Sequence, residues 1–256
     1  MTRVADRFTG KSCLVTGAGS GMGRAIAVRL AAEGGRVTAS DVSSPGLEEL
    51  AGRAREEGWA DRLQTAVLDV SDEAAVDSVV AEAVARQGGL DALVNAAGIL
   101  RAVHTAECST ELWDRVLRVN LTGTFLVIRA ALPALLEAKG AILNFSSTAA
   151  SFGHPYMAAY AASKGGVSAL TQTLAAEYAK AGLRVVAVAP GGISTPMVDA
   201  LELPADADMK NIMRLMPLNG RFGSPEDLAG LAATLLSEEG RHITGITIRV
   251  DAGTHC

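Results

Sequence analysis

Short apolar runs alternate along the chain with longer segments in which apolar residues recur every three or four positions. The runs have the length and β-branched content of strands, and the longer segments have helical periodicity. Seven strands are predicted, at residues 12–17, 36–41, 63–70, 91–98, 140–147, 183–190 and 245–251. Six helices are predicted between them, near residues 22–33, 46–57, 72–87, 110–138, 157–181 and 224–238.

This alternation predicts an α/β fold with a Rossmann-like, doubly wound parallel sheet of about seven strands and helices on both faces. The strands are apolar along their length, as expected when helices cover both faces of a sheet. No fixed-period repeat or low-complexity linker interrupts the pattern, so residues 1–256 are predicted to form a single domain. In such sheets ligands bind beyond the carboxyl ends of the strands. The residues that directly follow each strand are therefore the candidates for function.

The loop after the first predicted strand is rich in glycine. In TGAGSGMG, residues 16–23, four glycines fall within the seven positions from Gly17 to Gly23. Glycine lets a backbone approach a pyrophosphate, and the following helix offers free N–H groups and the positive end of its dipole. The general G-x-G-x-x-G pattern is not matched literally, because Met22 occupies the place of the third glycine. A plain tight turn is the alternative, but the position between a strand and a helix favours dinucleotide binding.

A carboxylate ends the second predicted strand. Asp41 lies 20 residues after Gly21, where a carboxylate accepts hydrogen bonds from the adenosine ribose of a dinucleotide. Asp41 would also repel a 2′-phosphate, and neither Val42 nor Ser43 supplies a cation to offset this repulsion. The sequence therefore predicts NAD(H) as the cofactor in preference to NADP(H). The alternative is that Asp41 only caps the turn DVSSPG.

Tyr160 and Lys164, in AYAASKGG, lie four residues apart and share one face of a predicted helix. A free phenol has a pKa near 10, too high for an efficient base at neutral pH, so we expect the ammonium to lower the pKa of Tyr160. Ser147 ends the fifth predicted strand and could donate a hydrogen bond to the same substrate oxygen. The three side chains suit proton exchange with an alcohol or ketone during hydride transfer to or from a nicotinamide. In isolation, a Tyr and a Lys four apart are ordinary surface residues.

In this order and spacing, the motifs of the chain resemble those of the short-chain dehydrogenase/reductase family. T-G-x-x-x-G-x-G matches Thr16, Gly17, Gly21 and Gly23, the N-A-G type motif matches Asn95–Gly98, Y-x-x-x-K matches Tyr160 and Lys164, and the P-G segment matches Pro190–Pro196. The resemblance extends from about Gly10 to Gly253. It implies a single NAD-binding catalytic domain whose catalytic residues are Asn120, Ser147, Tyr160 and Lys164.

The resemblance also implies further roles. Lys164 would hold the nicotinamide ribose, and Asn120 would support a water and proton path to Lys164, although Asn120 could instead only cap or kink its helix. Ser146 is expected to be structural. The residues expected at the cofactor are Gly17, Ser20, Gly21, Met22, Gly23, Asp41, Val42, Asp69, Val70, Asn95, Ala96, Gly98, Tyr160, Lys164, Pro190, Gly191, Ile193 and Thr195.

The substrate is less well defined by the sequence. Residues within about 195–220 carry four methionines and several leucines, which suit either a lid that closes on an apolar substrate or an ordinary buried amphipathic helix. The loop between Ser147 and Tyr160 offers Phe152, His154 and Tyr156 as pocket walls, and Met197 lies within the lid segment. No arginine clearly lies where it would clamp a substrate carboxylate.

Composition excludes several classes of function. The net charge is −5 and no basic run is present, so nucleic-acid binding is not expected. The three cysteines and four histidines match no metal-site spacing. The N-terminus has no apolar core of a signal peptide, and no apolar stretch approaches the roughly 18 residues of a membrane span. We therefore expect no metal, no membrane contact and a cytoplasmic location.

The sequence favours an NAD(H)-dependent oxidoreductase that interconverts a small-molecule secondary alcohol and a ketone, with Tyr160 as acid and base. A 3-oxoacyl-(acyl-carrier-protein) reductase is the alternative enzyme. A non-catalytic NAD(H)-sensing or scaffold protein is the alternative of another class, which would need no Ser–Tyr–Lys set. Apolar residues on more than one face of helices 110–138 and 157–181 favour a homo-oligomer, and the family resemblance suggests a tetramer.

Overall fold

Seven strands form one parallel sheet in the computed structural model, which describes residues 6–256 and leaves residues 1–5 of the predicted domain 1–256 outside the description. The strands are β1 Ser12–Thr16, β2 Arg36–Asp41, β3 Leu63–Val67, β4 Ala92–Asn95, β5 Ala141–Phe145, β6 Arg184–Pro190 and β7 Thr247–Val250. Their order across the sheet is β3-β2-β1-β4-β5-β6-β7. The predicted parallel α/β sheet is therefore confirmed.

Helices flank this sheet on two sides. They are α1 Gly21–Ala32, α2 Ser44–Glu56, α3 Glu73–Gln87, α4 Thr110–Leu117, α5 Gly123–Ala138, α6 Ala158–Tyr178, α7 Pro196–Asp199, α8 Met209–Met213 and α9 Pro225–Leu236. Successive strand residues point to opposite faces, so Val15 belongs to a core cluster with residues of α1, α2 and α9, whereas Leu14 belongs to one with residues of α3, α5 and α6. The two clusters explain why the strands are apolar on both faces.

The predicted helix 110–138 is interrupted near its middle. A π-helical turn, Arg118–Thr122, separates α4 from α5 and contains the fully buried Asn120. Thr124 Oγ1 donates a hydrogen bond to the Asn120 carbonyl at 2.8 Å. Single π turns within α-helices occur frequently at functional sites, and this one aims Asn120 toward the end of β4.

The segment Thr110–Ala138 meets the length and hydropathy criteria of a membrane span. It contains an 18-residue window of mean hydropathy 1.6, of which 44% is buried inside the protein. The expectation that no such stretch exists is therefore wrong. Because core helices of soluble proteins pass the same test, and α5 packs against α3 and β4, the segment is weak evidence for a membrane location.

The chain reverses direction across the sheet between β1 and β4. β1 pairs with β2 on one side and with β4 on the other, which places Thr16 opposite Asn95. β4 and β5 end earlier than predicted, at Asn95 and Phe145. The loops beyond these ends therefore open at the switch point, where ligands bind in folds of this type.

Candidate active site

The loop between β1 and α1 requires glycine at two contacts. Gly17 has φ +68°, and a Cβ there would lie 2.6 Å from the backbone nitrogen of Ala97. A Cβ on Gly23 would lie 2.1 Å from the Gly17 carbonyl oxygen. Any side chain at either position would push the loop away from β4 or from α1. The glycines therefore let three backbone segments meet at one point.

The N-terminus of α1 is free to bind an anion. Ser20 is the N-cap residue, but its side chain makes no capping hydrogen bond, and the first turn of α1 carries no acidic residue. The first N–H groups of a helix need external partners and carry partial positive charge. Together with the close glycine packing, this arrangement fits the pyrophosphate of a dinucleotide.

Asp41 stabilises the glycine loop from the end of β2. Its Oδ2 accepts a hydrogen bond from Gly19 N at 2.9 Å, and its Oδ1 accepts one from Ser43 N at 2.8 Å. Asp41 is thus a turn cap, as the alternative interpretation proposed, and its carboxylate retains lone pairs for ribose hydroxyls. Arg24 lies against the same loop, but its guanidinium donates to the Gly19 carbonyl and pairs with Glu49 at 2.9 Å.

Further residues predicted at the cofactor, among them Asp69 and Val70 near the adenine, lie at or just beyond the ends of β2, β3 and β4. Val42 is 65% exposed, whereas Val70 is buried, and a Cβ on Gly123 would lie 2.7 Å from Val70 Cγ2. Asp69 Oδ1 accepts hydrogen bonds from Ser71 at 2.8 and 2.7 Å. Asn95 Nδ2 donates to Asn144 at 2.9 Å, while its buried Oδ1 has no partner among the described residues.

Asn120 joins the loop after β4 to α6. Its Oδ1 accepts from Ile99 N at 2.8 Å, and its Nδ2 donates to the Ile99 carbonyl at 2.9 Å and to Ser163 at 3.1 Å. A Cβ on Gly98 would lie 3.1 Å from Asn120 Oδ1 and 3.7 Å from Lys164 Nζ. Asn120 and Lys164 therefore flank Gly98 on one side of the site.

Tyr160, Lys164 and Ser147 meet where β5 ends and α6 begins. Lys164 Nζ lies 5.7 Å from the centre of the Tyr160 ring and donates to the Phe145 carbonyl at 2.7 Å. The Ser147 hydroxyl accepts a hydrogen bond from Ala149 N at 3.1 Å and lines the same cavity as Tyr160. Ser146 instead bonds the Lys164 carbonyl at 3.1 Å and the Ser168 hydroxyl at 2.7 Å, which agrees with a structural role.

The predicted lowering of the Tyr160 pKa is wrong for the protein without ligand. Burial raises the pKa of Tyr160, because a phenolate loses hydration in this site, and the Ser147 hydrogen bond opposes only part of that effect. Burial also lowers the pKa of Lys164 to about 8. Desolvation of both groups therefore outweighs the attraction that their spacing suggested. The resting Tyr160 is a neutral phenol, the form that donates a proton.

A cavity of about 200 Å³ opens beside these three residues. Its wall includes Ser147, Tyr160 and Lys164 together with many of the predicted cofactor residues, namely Met22, Ala96, Gly98, Pro190, Gly191, Ile193 and Thr195. The apolar part of the lining consists mainly of Leu100, Met157, Met197, Val198, Leu201, Leu203, Ile212, Leu215, Met216 and Phe222. Lys164 is the only lysine or arginine among its described lining residues. The cavity thus brings Ser147, Tyr160 and Lys164 together with a mostly apolar lining.

Comparisons with known proteins agree with this geometry. A family model described as Enoyl-(Acyl carrier protein) reductase matches residues 17–255. A 3-oxoacyl-(acyl-carrier-protein) reductase of Thermotoga maritima is 41% identical, with coverage of 96% of this chain and 98% of that protein. The 3beta-hydroxysteroid dehydrogenase 1 of Eggerthella lenta is 42% identical, with coverage of 97% and 95%.

A solved structure gives the same result at the level of the fold. The short chain dehydrogenase from Mycobacterium paratuberculosis bound to NAD superimposes with a TM-score of 0.89 at 31% identity, and the match covers 97% of this chain and 98% of that one. The chain belongs to the short-chain dehydrogenase/reductase family. It is an oxidoreductase of this family, whose members bind a nicotinamide cofactor.

One side of α8 and its flanks, within the predicted lid segment, lines the cavity. Ile212, Leu215 and Met216 face the cavity, whereas Met209 and Met213 are 53% and 59% exposed. None of the five residues of α8 is buried, so the ordinary buried helix considered above is wrong. Ile212, Leu215 and Met216 have helical spacing. This spacing is the sequence signal that could have identified the side of the helix that lines the cavity.

The three loop residues predicted as pocket walls lie in different places. His154 lines the cavity, but Phe152 and Tyr156 do not. Tyr156 has φ +67°, its ring packs edge-on against His104, and its hydroxyl accepts a hydrogen bond from Asp208 N at 2.8 Å. Tyr156 therefore does not have the predicted place in the cavity wall. Its phenol instead accepts a hydrogen bond from the residue that caps the start of α8.

Proposed function

We propose that the protein is an NAD(H)-dependent oxidoreductase that interconverts an apolar secondary alcohol and the corresponding ketone. The observation that carries the proposal is the cavity, in which Ser147 and Tyr160 face a wall of aliphatic and methionine side chains. Among the described lining residues, Lys164 is the only lysine or arginine that a substrate carboxylate or phosphate would meet. Apolar substrates gain most from this enclosure, because their burial removes hydrocarbon surface from water.

The residues divide the chemistry between them. A bound nicotinamide supplies the hydride acceptor for oxidation and the hydride donor for reduction. Tyr160 gives its phenolic proton to the carbonyl oxygen in reduction and takes it back in oxidation. Ser147 donates a hydrogen bond to the same oxygen and stabilises its developing negative charge. Lys164 provides positive charge beside the phenol and a donor for the nicotinamide ribose. Asn120 holds the loop after β4 through its hydrogen bonds to Ile99.

The preference for NAD(H) rests on Asp41. Its carboxylate lies at the end of β2 against the glycine loop, where a 2′-phosphate would add a second anion. The guanidinium of Arg24 is already engaged by Glu49 and by backbone carbonyls. Charge repulsion by Asp41 therefore supports NAD(H) over NADP(H).

We expect Asp41→Asn to raise the ratio of kcat/KM with NADP to kcat/KM with NAD by about tenfold, because the repelling charge is lost while one acceptor for the loop remains. Asp41→Ala should act in the same direction. Steady-state assays with each cofactor measure the ratio. Asp77→Asn, an exposed substitution on α3, should leave it unchanged, and no rise in either Asp41 variant would contradict the assignment.

A 3-oxoacyl-(acyl-carrier-protein) reductase is the second candidate. The resemblance to a reductase with that name over almost the whole chain supports it. Residues 199–221, which cover the cavity, contain four acidic and three basic residues, and this balance does not favour an acidic carrier protein. A carrier-bound substrate would also place a charged phosphopantetheine at a largely apolar opening.

A substrate screen distinguishes the two functions. Purified protein is offered alicyclic secondary alcohols and ketones in one set, and acetoacetyl-CoA as the 3-oxoacyl probe in the other, with each cofactor. Turnover is read from the absorbance of the reduced nicotinamide. We expect the alicyclic compounds to be preferred with NAD(H). A higher kcat/KM for acetoacetyl-CoA would support the second candidate and contradict the first.

We also propose a homotetramer in the cytoplasm. Trp113 on α4 and Phe125 on α5 are large apolar side chains that are 37% and 43% exposed, and burial of such surface stabilises symmetric assemblies. The three cysteines are free, as in a reducing compartment. Sedimentation should give about four times the chain mass of 26.3 kDa. A single species at the chain mass would contradict the tetramer.

A further inference from the structure

His154 is a polar side chain of the cavity for which the proposed chemistry has no use. It lies in the loop between Ser147 and α6 and is partly buried. Of the hydroxyl groups nearby, Ser146 is bonded to the Lys164 carbonyl and to Ser168. Ser147 belongs to the reacting group. His154 therefore stands apart as a polar position in a mostly apolar enclosure.

The hydrogen bonds of Thr148 determine which nitrogen of His154 carries its proton. Thr148 Oγ1 donates to the Pro190 carbonyl at 3.3 Å, and a carbonyl oxygen only accepts. With the single hydroxyl proton on the Pro190 carbonyl, His154 Nε2, 3.2 Å from the same Oγ1, is the donor of the second bond. In a neutral ring with its proton on Nε2, the other nitrogen, Nδ1, has a free lone pair.

That lone pair is accessible and has no partner among the described residues. Nδ1 makes no hydrogen bond with the described residues, and it is absent from the buried side-chain atoms that lack a partner. Burial together with the neighbouring His255 lowers the pKa of His154 to about 4. The ring therefore remains neutral, with Nδ1 as an acceptor, throughout the pH range of ordinary assays.

The C-terminal residues hold this ring in place. His255 stacks on His154 with ring centres 5.9 Å apart, and it stacks on Phe152 at 4.0 Å. Asp251 Oδ2 lies 3.0 Å from His255 Nδ1 and 3.4 Å from Arg249 Nε. The acceptor on His154 is thus carried by a ring that is stacked on one side and hydrogen-bonded at Nε2.

We propose that His154 Nδ1 accepts a hydrogen bond from a second hydroxyl group of the substrate, remote from the carbon that reacts. The inference deepens the proposed function and rests on it: the preferred substrates are apolar alcohols or ketones that carry one further hydroxyl. A hydroxyl buried against the aliphatic wall loses its water without replacement, whereas one opposite Nδ1 regains a partner. His154 is therefore a specificity-determining residue.

The test compares cyclohexanol with the 1,2-, 1,3- and 1,4-cyclohexanediols, oxidised with NAD. We expect the wild-type protein to prefer at least one diol over cyclohexanol in kcat/KM. His154→Leu removes the acceptor and should lower this diol-to-cyclohexanol ratio by about fivefold. His154→Gln, whose amide replaces Nε2, should lower it similarly, whereas His154→Asn, which can place an oxygen near the position of Nδ1, should retain most of it.

The outcomes separate this inference from the proposed function. If wild-type protein oxidises cyclohexanol but prefers no diol, or if the ratio is unchanged in both His154→Leu and His154→Gln, the inference is wrong and the proposed function stands. If wild-type protein oxidises none of the four alcohols and none of the alicyclic alcohols in the screen, both fail. If the diol-to-cyclohexanol ratio is retained in His154→Asn but lost in His154→Leu and His154→Gln, the acceptor role is supported against a general packing effect.

Discussion

Tyr160→Phe should lower kcat for the preferred alcohol or ketone by about 10³-fold or more, while the affinity for NADH changes by less than about threefold. The substitution removes only the hydroxyl that exchanges the proton, and general acid–base catalysis contributes roughly 10²–10⁴-fold. The ring, which packs near Lys164, is retained. Steady-state kinetics measure kcat, and quenching of protein fluorescence by NADH measures binding.

Tyr178→Phe is a matched control, because Tyr178 lies at the far end of the same helix α6. It should retain wild-type kcat. The proton-transfer role also predicts a direction for the pH dependence. Because burial raises the pKa of Tyr160, reduction should be fastest where the phenol keeps its proton, and oxidation should accelerate as the pH rises. Turnover by Tyr160→Phe within about tenfold of wild type would remove Tyr160 from this role.

Lys164→Met should nearly abolish activity and at the same time stabilise the protein without ligand. Burial lowers the pKa of Lys164 from 10.5 to about 8, and each pKa unit corresponds to about 1.4 kcal/mol. The buried ammonium thus costs up to about 3 kcal/mol of folding free energy at neutral pH, offset by ~1 kcal/mol from its hydrogen bond to Phe145. We expect a net gain of about 2 kcal/mol in the free energy of unfolding, measured by urea titration.

The same substitution changes the pH dependence of stability. Between pH 8 and 10.5 the unfolded chain holds the Lys164 proton more tightly than the folded protein does, so this residue makes the free energy of unfolding rise with pH. Cys13 acts in the opposite direction, because burial raises its pKa from 9.0 to about 12. The wild-type-minus-variant difference isolates Lys164: the excess stability of Lys164→Met should be largest below pH 8 and should shrink toward pH 10.5.

An exposed lysine provides the comparison. Lys180→Met, in the turn after α6, should change neither the activity nor the pH dependence of unfolding. If Lys164→Met instead lost stability at pH 7, the hydrogen bond to Phe145 and side-chain packing would outweigh desolvation. If its stability followed the wild-type pH curve, the lowered pKa of Lys164 would be wrong.

Local sequence patterns predicted the glycine loop and the relative positions of Tyr160 and Lys164. The glycine spacing predicted a close backbone approach, and Gly17 and Gly23 do lie where a Cβ would collide with backbone atoms. The four-residue spacing of Tyr160 and Lys164 predicted a shared helix face, and the ammonium lies 5.7 Å from the ring centre. Both predictions depend on covalent geometry and helical periodicity, which act over a few residues.

Other features needed contacts between distant parts of the chain. The substrate role predicted for Tyr156 was wrong, because its left-handed backbone and its bond to Asp208 place the side chain outside the cavity. The predicted direction of the shift in the Tyr160 pKa was wrong. The spacing of the two residues indicates a neighbouring positive charge, but it does not indicate that folding removes water from the phenol. The setting of His154 depends on His255, about a hundred residues away in the chain.

The sequence alone determined the alternation of strand and helix, the order of the motifs and the spacing of the reactive side chains, since each depends on residues close together in the chain. Tertiary structure alone decided which side chains enclose the cavity, how strongly burial changes the pKa values of Tyr160 and Lys164, and which nitrogen of His154 is open. These properties depend on desolvation and on hydrogen-bond partners supplied by remote segments. Neither is present until the chain has folded.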